Sequence, residues 1–124
     1  MMNIKQILIS GIIMLALDGV YLTTTSGYFS KVVQKVQGSK LQFNILGAFA
    51  CYFLLIYGVN HFIIDQRKSL IEAFILGIVI YGVYETTTYT ILKDWPMGAV
   101  IMDTTWGGIL FVLTNYLTKK MIQL

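Results

Sequence analysis

The chain has 124 residues, of which 56% are hydrophobic and 12% charged, where a soluble globular domain carries about 25% charged residues. With a mean hydropathy of +0.72, that balance excludes an ordinary soluble fold. The net charge of +3 does not indicate a nucleic-acid partner, because the lysines are scattered over short loops at the ends of apolar stretches, where membrane topology accounts for them.

Four apolar stretches, 4–24, 44–64, 70–92 and 97–117, each approach the roughly 20 residues that an α-helix needs to cross the hydrocarbon core. A transmembrane β-barrel would alternate polar and apolar positions, and the run from Phe74 to Ile80 does not. The predicted fold is therefore all-α: a four-transmembrane-helix bundle in up-down order, one integral membrane domain over residues 1–124. The lipid bilayer is its first partner.

In the first stretch, Lys5 followed by Ile7 to Leu15 imitates a signal peptide. Asp18 interrupts the apolar run and no small-x-small cleavage site follows, so the segment reads as a retained span. Beyond it, Tyr28, Phe29, Val32, Val33 and Val36 fall on one helical face, with Lys31, Gln34, Lys35 and Gln37 on the other. Gly38 suits a C-terminal stop. This pattern predicts a short amphipathic helix along the headgroups after the first span, with Lys31 and Lys35 available to anionic lipid. A loop helix covering the bundle fits the same pattern equally well.

The second stretch holds the single cysteine, Cys51, which excludes an intrachain disulfide or zinc-finger spacing and reads as a small packing residue. His61, the only histidine, suits an interfacial or hydrogen-bonded role better than ligation. Residues 65–69 form a tight second turn, and 93–96 a third. In the third turn Trp95 suits the membrane interface and Pro96 the first turn of the last helix. Lys5, Arg67, Lys68, Lys119 and Lys120, with the amino terminus, face Lys31, Lys35, Lys40 and Lys93 on the other side. That count leans towards cytoplasmic termini.

Three of the six acids, Asp18, Glu85 and Asp103, lie deep inside the apolar stretches, away from their first turns. An ionisable group there costs about 2.5–3.5 kcal/mol on insertion scales and marks a functional site by default. Asp18 and Glu85 come in the last thirds of spans one and three, and Asp103 in the first third of span four. With loops one and three on one side, all three fall roughly 10 Å below the same surface at 1.5 Å per residue.

Tyr81 and Thr88 share the helical face of Glu85 with Ala73 and Gly77, whose small size permits close helix approach. Trp106 and Gly107 share the face of Asp103. The candidate ion- or substrate-binding set is Asp18, Glu85, Asp103, Tyr81, Thr88 and Trp106, although packing is the commoner use of such a tryptophan. No lysine or arginine lies at this depth, so protons, a bound cation or a cationic substrate must balance the layer.

The run Tyr84-Glu85-Thr86-Thr87-Thr88-Tyr89-Thr90-Ile91-Leu92-Lys93-Asp94-Trp95-Pro96, followed by Asp103-Thr104-Thr105-Trp106-Gly107, resembles a specific pattern. It is similar to a family of small, mostly bacterial, four-span membrane proteins catalogued as a domain of unknown function. The third helix of that family reads Y-D-L-T-N-x-A-T-L-K-x-W-P and its fourth opens on D-x-x-W-G. Asp18 with Tyr21 and Leu22 resembles the family's first-helix D-x-x-W-L, and Tyr52 falls where its second helix carries a tyrosine. Glu85 stands in place of an aspartate, Thr88 of an asparagine and Tyr21 of a tryptophan. The resemblance implies four helices and a membrane location, and carries no activity.

Three functions fit these residues. The first is proton- or cation-linked transport, or a channel, for a small substrate; four spans are few for a carrier, so it calls for a homo-oligomer. The second is a lipid-acting membrane enzyme or accessory protein, with the carboxylates in acid–base work or holding a hard divalent ion. The absence of a histidine or nucleophile near the layer weighs against an enzyme. The third is an assembly protein whose acids join helices. No residue pattern calls for a cofactor or a resident metal, and no mid-span lysine is available for a retinal Schiff base.

Overall fold

Asparagine and serine side chains set the starts of three of the four helices in the computed structural model, which describes residues 3–123. Helix α1 spans Ile4–Gln37 and begins where Asn3 accepts the Gln6 N–H. Helix α2 spans Ile45–Val59, capped by Asn44, and continues through a π-helical turn at Asn60–Ile64. Helix α3 spans Leu70–Ile91, with Ser69 accepting the Glu72 N–H, and α4 spans Met97–Ile122 directly after Pro96. Each cap satisfies a backbone donor that the first helical turn leaves without a partner. All four helices are long and apolar enough to cross a membrane.

The amphipathic segment at 28–37 is helical as expected, but it continues α1 without a break instead of forming a separate interfacial helix. The polar run that looked like the end of a span keeps its backbone helical. Thr24 and Thr25 donate to the carbonyls of Val20 and Tyr21, one turn back, at 2.8 Å, and no proline intervenes. At 34 residues, α1 is about 51 Å long, well beyond the roughly 30 Å hydrocarbon core. Gly38 ends it in the left-handed conformation, φ 75°, donating its N–H to Gln34.

Helices α3 and α4 form the tightest pair; α1 lies along α4; α2 touches α1 lightly and scarcely meets α3. Backbone contact at glycine explains the tight pair. A Cβ on Gly77 would fall 2.1 Å from the Gly107 carbonyl oxygen, and one on Gly107 would fall 2.3 Å from the Tyr81 ring. Ala73 and Gly77 therefore serve inside the bundle, and are not available as a face between subunits.

The middle of the bundle is dry, filled by Met14, Leu55, Val59, Ile64, Ala73, Leu110 and Phe111. On the side of the termini lies a buried polar layer. There the Gln6 amide donates to Asn60 Oδ1 at 2.9 Å, and Asn60 Nδ2 donates to Ser10 Oγ at 2.8 Å and to the Ile56 carbonyl at 2.7 Å. The π turn belongs to this layer. Asp65 closes its N–H onto the Asn60 carbonyl, five residues back, at 2.8 Å, and the extra residue swings Ile63 and Ile64 into the core.

Candidate functional site

The three intramembrane acids are held by donors from α1, α2, α4 and the loop between α3 and α4. Asp18 on α1 is 5% exposed. Its Oδ1 accepts the Trp106 Nε1–H at 2.9 Å and its Oδ2 accepts the Tyr52 hydroxyl. Asp103 on α4 accepts the Tyr21 hydroxyl at 2.9 Å. Glu85 on α3 is 1% exposed and accepts the Trp95 Nε1–H at 2.9 Å. Its carboxyl also lies within hydrogen-bonding reach of Asp103.

One antiparallel register of α1 against α4 makes both Asp18–Trp106 and Tyr21–Asp103 possible. It also stacks the Tyr21 and Trp106 rings, 4.6 Å apart and 2° from parallel. The result is one connected layer running from Tyr52 through Asp18, Trp106, Tyr21, Asp103 and Glu85 to Trp95. Apart from the Glu85–Asp103 approach, the side chains bonded to these carboxylates among the described residues are neutral aromatic donors. Such donors satisfy oxygen lone pairs without supplying the positive charge that buried carboxylates otherwise recruit.

A cleft of about 570 Å³ reaches this layer from the gap between α2 and α3. Asp18 and Asp103 lie at its polar end with Tyr21 and Tyr81; Leu22, Leu54, Leu55 and Ile80 line its apolar part. The candidate residues thus divide. Asp18, Asp103 and Tyr81 border the cleft, Trp106 positions Asp18 from behind, and Glu85 sits beside Asp103. Thr88 is buried, but its hydroxyl donates to the Tyr84 carbonyl of its own helix at 2.9 Å, so it meets no carboxylate in this arrangement. Among the described residues no three acidic, histidine or cysteine side chains gather closely enough to hold one metal ion.

Three donors escaped the sequence reading of the site. Tyr21 lies three residues after Asp18, a spacing that puts both on one face and could have flagged it. Tyr52 arrives from α2 with no local signal. Trp95, read as an interfacial residue, folds back from the third loop onto Glu85. The loop turns through Asp94 in the left-handed conformation at φ 69°, which places the indole over the end of α3.

Cys51 is exposed and borders the cleft, so it is not the packing residue expected. His61 stacks on Tyr57, centroids 5.4 Å apart, and meets Phe62 edge-on.

Neither the curated proteins nor the solved structures give a significant match. The model of a family described as "Predicted membrane protein (DUF2177)" matches residues 3–119, nearly the whole chain and both motif-bearing helices. The chain belongs to that family of integral membrane proteins.

Proposed function

We propose that this protein handles protons or a small cation at the Asp18–Asp103–Glu85 layer, in a transport-type cycle. The observation that carries the reading is the mismatch between charge and partner. Three carboxylates in one intramembrane layer are bonded to Tyr21, Tyr52, Trp95 and Trp106, and none of these is a cation. A proton shared between Glu85 and Asp103, or a cation arriving through the cleft beside Asp18 and Asp103, completes the charge balance. Tyr81 stands at the cleft wall, and Trp106 holds Asp18 in place.

A continuous pore through one bundle fits poorly, because Met14, Leu110 and Phe111 are fully buried below the layer. The cycle therefore involves rearrangement or a homo-oligomer. Cytoplasmic termini follow from the distribution of basic residues, and contact of Lys31 and Lys35 with anionic headgroups from their exposure on the projecting end of α1.

Both tryptophans of the chain, Trp95 and Trp106, donate to the acids, so intrinsic fluorescence reports the site. Wild type in lipid nanodiscs should show a fluorescence change with pH that is abolished or displaced in Glu85→Gln or Asp103→Asn. Dye-filled proteoliposomes under an imposed pH step should take up protons faster than protein-free vesicles. Fluorescence unchanged by all three amide substitutions defeats the proposal. So does a protein that alters its stability with pH yet moves no protons, since its acids then only join helices.

A further inference from the structure

The cleft has the form of a lateral entrance from the bilayer, and its two ends differ in chemistry. The rim is lipid-facing: Leu54 is 66% and Tyr84 61% exposed. The inner end is Asp18, 5% exposed, with Asp103 beside it. The gap exists because α2 and α3 scarcely touch, while the glycine contacts that lock α3 to α4 leave no such opening between those two helices. At about 570 Å³ it falls within the roughly 300–1,000 Å³ of sites that enclose drug-sized molecules.

We infer that the cleft binds an amphipathic monocation drawn from the membrane: an alkylammonium head against Asp18 and Asp103, with its apolar body between Leu22, Leu54 and Ile80. Charge complementarity selects the sign, because two carboxylates with only neutral donors around them repel an anionic head and gain most from a cation. The wall selects the head further. Tyr21, Tyr81 and Tyr84 border the cleft, and aromatic faces attract ammonium groups, more strongly when desolvated. The lateral gap selects the route, since an apolar tail can stay in lipid while the head reaches the acids. A neutral alcohol of equal length gains the apolar contacts and loses the charge term.

This inference names the substrate class of the carboxylate layer and rests on that layer being functional, but the two are separable by experiment. Dodecyltrimethylammonium chloride, titrated below its micelle concentration into wild-type protein in neutral-lipid nanodiscs, should quench or shift tryptophan fluorescence saturably. Dodecanol at the same concentrations should not. Asp103→Asn, whose amide oxygen still accepts from Tyr21, should weaken the response at least tenfold. Ala48→Phe fills the cleft from α2 and leaves every carboxylate intact; it should weaken cation binding to the same degree while preserving the fluorescence change with pH.

Equal responses to dodecanol and to the cation, or an Ala48→Phe variant that binds the cation like wild type, overturn the inference. If no cation response appears but the pH-dependent signal and proton uptake persist, the lateral site is refuted and the proton-handling reading stands. If the pH signal is lost while cation binding is retained, the lateral site stands and the proton-handling reading is refuted.

Discussion

Trp106→Phe is the most informative single substitution, because it removes the N–H that meets one carboxylate; it also removes part of the indole ring, a packing loss that a double-mutant cycle subtracts. The indole N–H meets Asp18 Oδ1 at 2.9 Å, and both Asp18 oxygens act as acceptors, as a carboxylate does. A hydrogen bond to a charged acceptor contributes about 1.5–3 kcal/mol, against about 0.5–1.5 kcal/mol for a neutral pair. Phenylalanine keeps a ring against Tyr21, stacked at 4.6 Å in the native protein, so most of the stacking survives.

Combining it with Asp18→Asn in a double-mutant cycle isolates the N–H-to-charge interaction, with an expected coupling of about 1–2 kcal/mol. Reversible unfolding in mixed micelles, followed by far-ultraviolet circular dichroism so that the lost tryptophan does not affect the signal, measures each corner of the cycle. A coupling under about 0.5 kcal/mol, the ordinary scatter of additive pairs, refutes a charged Asp18 held by Trp106.

Glycine at the α3–α4 crossing should resist any side chain. Gly107→Ala places a methyl 2.3 Å from the Tyr81 ring and should cost about 1–3 kcal/mol or more in unfolding experiments. Gly19→Ala, where nothing lies within 4 Å, should be neutral or stabilising by up to about 1 kcal/mol. In the polar layer near the termini, Asn60→Leu deprives the Gln6 amide of its acceptor and Ser10 of a donor and should destabilise by about 1–3 kcal/mol. Thr114→Val removes a buried hydroxyl that bonds to no group among the described residues and should be neutral or stabilising in a thermal-shift assay; a loss there would reveal an internal water as its partner. Lys31→Glu combined with Lys35→Glu should weaken retention on anionic over neutral vesicles in a flotation assay, each basic residue near such a surface contributing about 1 kcal/mol.

The spans were legible because the bilayer permits few alternatives. With no water to satisfy backbone groups, a run of about 20 apolar residues must close its own hydrogen bonds as a helix, and the helix ends fell at Asn44, Ser69 and Pro96. The common depth of Asp18, Glu85 and Asp103 was legible for a related reason: the rise per residue is fixed, so counting measures distance. What counting could not supply was rotation and neighbours. Tyr52 reaches Asp18 across 34 positions of sequence, and Trp95 reaches Glu85 only through a loop conformation that Asp94 adopts at positive φ. Thr88 shares the Glu85 face yet turns its hydroxyl to its own helix, a choice that no spacing rule decides. The unbroken α1 escaped for the same reason, since Thr24 and Thr25 read as polar until their hydroxyls are seen to bond back along the helix.

The packing also limits how the carboxylate layer can change its exposure. Helices α3 and α4 are joined by backbone contact at Gly77, Gly107 and Gly108, where even one added carbon would fall within 2.9 Å of a neighbouring atom. Sliding that pair forfeits its contacts at once. Helix α1 is tied to α4 by the Trp106–Asp18 and Tyr21–Asp103 bonds and their stacked rings. Only α2 lacks comparable restraint. It meets the acids through Tyr52 alone, meets the polar layer near the termini through Asn60, and leaves a gap towards α3. A small outward tilt of α2 would break one bond at Asp18 and widen the cleft beside Cys51, while the dry contacts among Met14, Leu110 and Phe111 stay closed. In the transport cycle proposed above, the layer would therefore open towards lipid by a tilt of α2, and passage to the opposite side would require the further separation of α2 from the core at Leu55 and Val59.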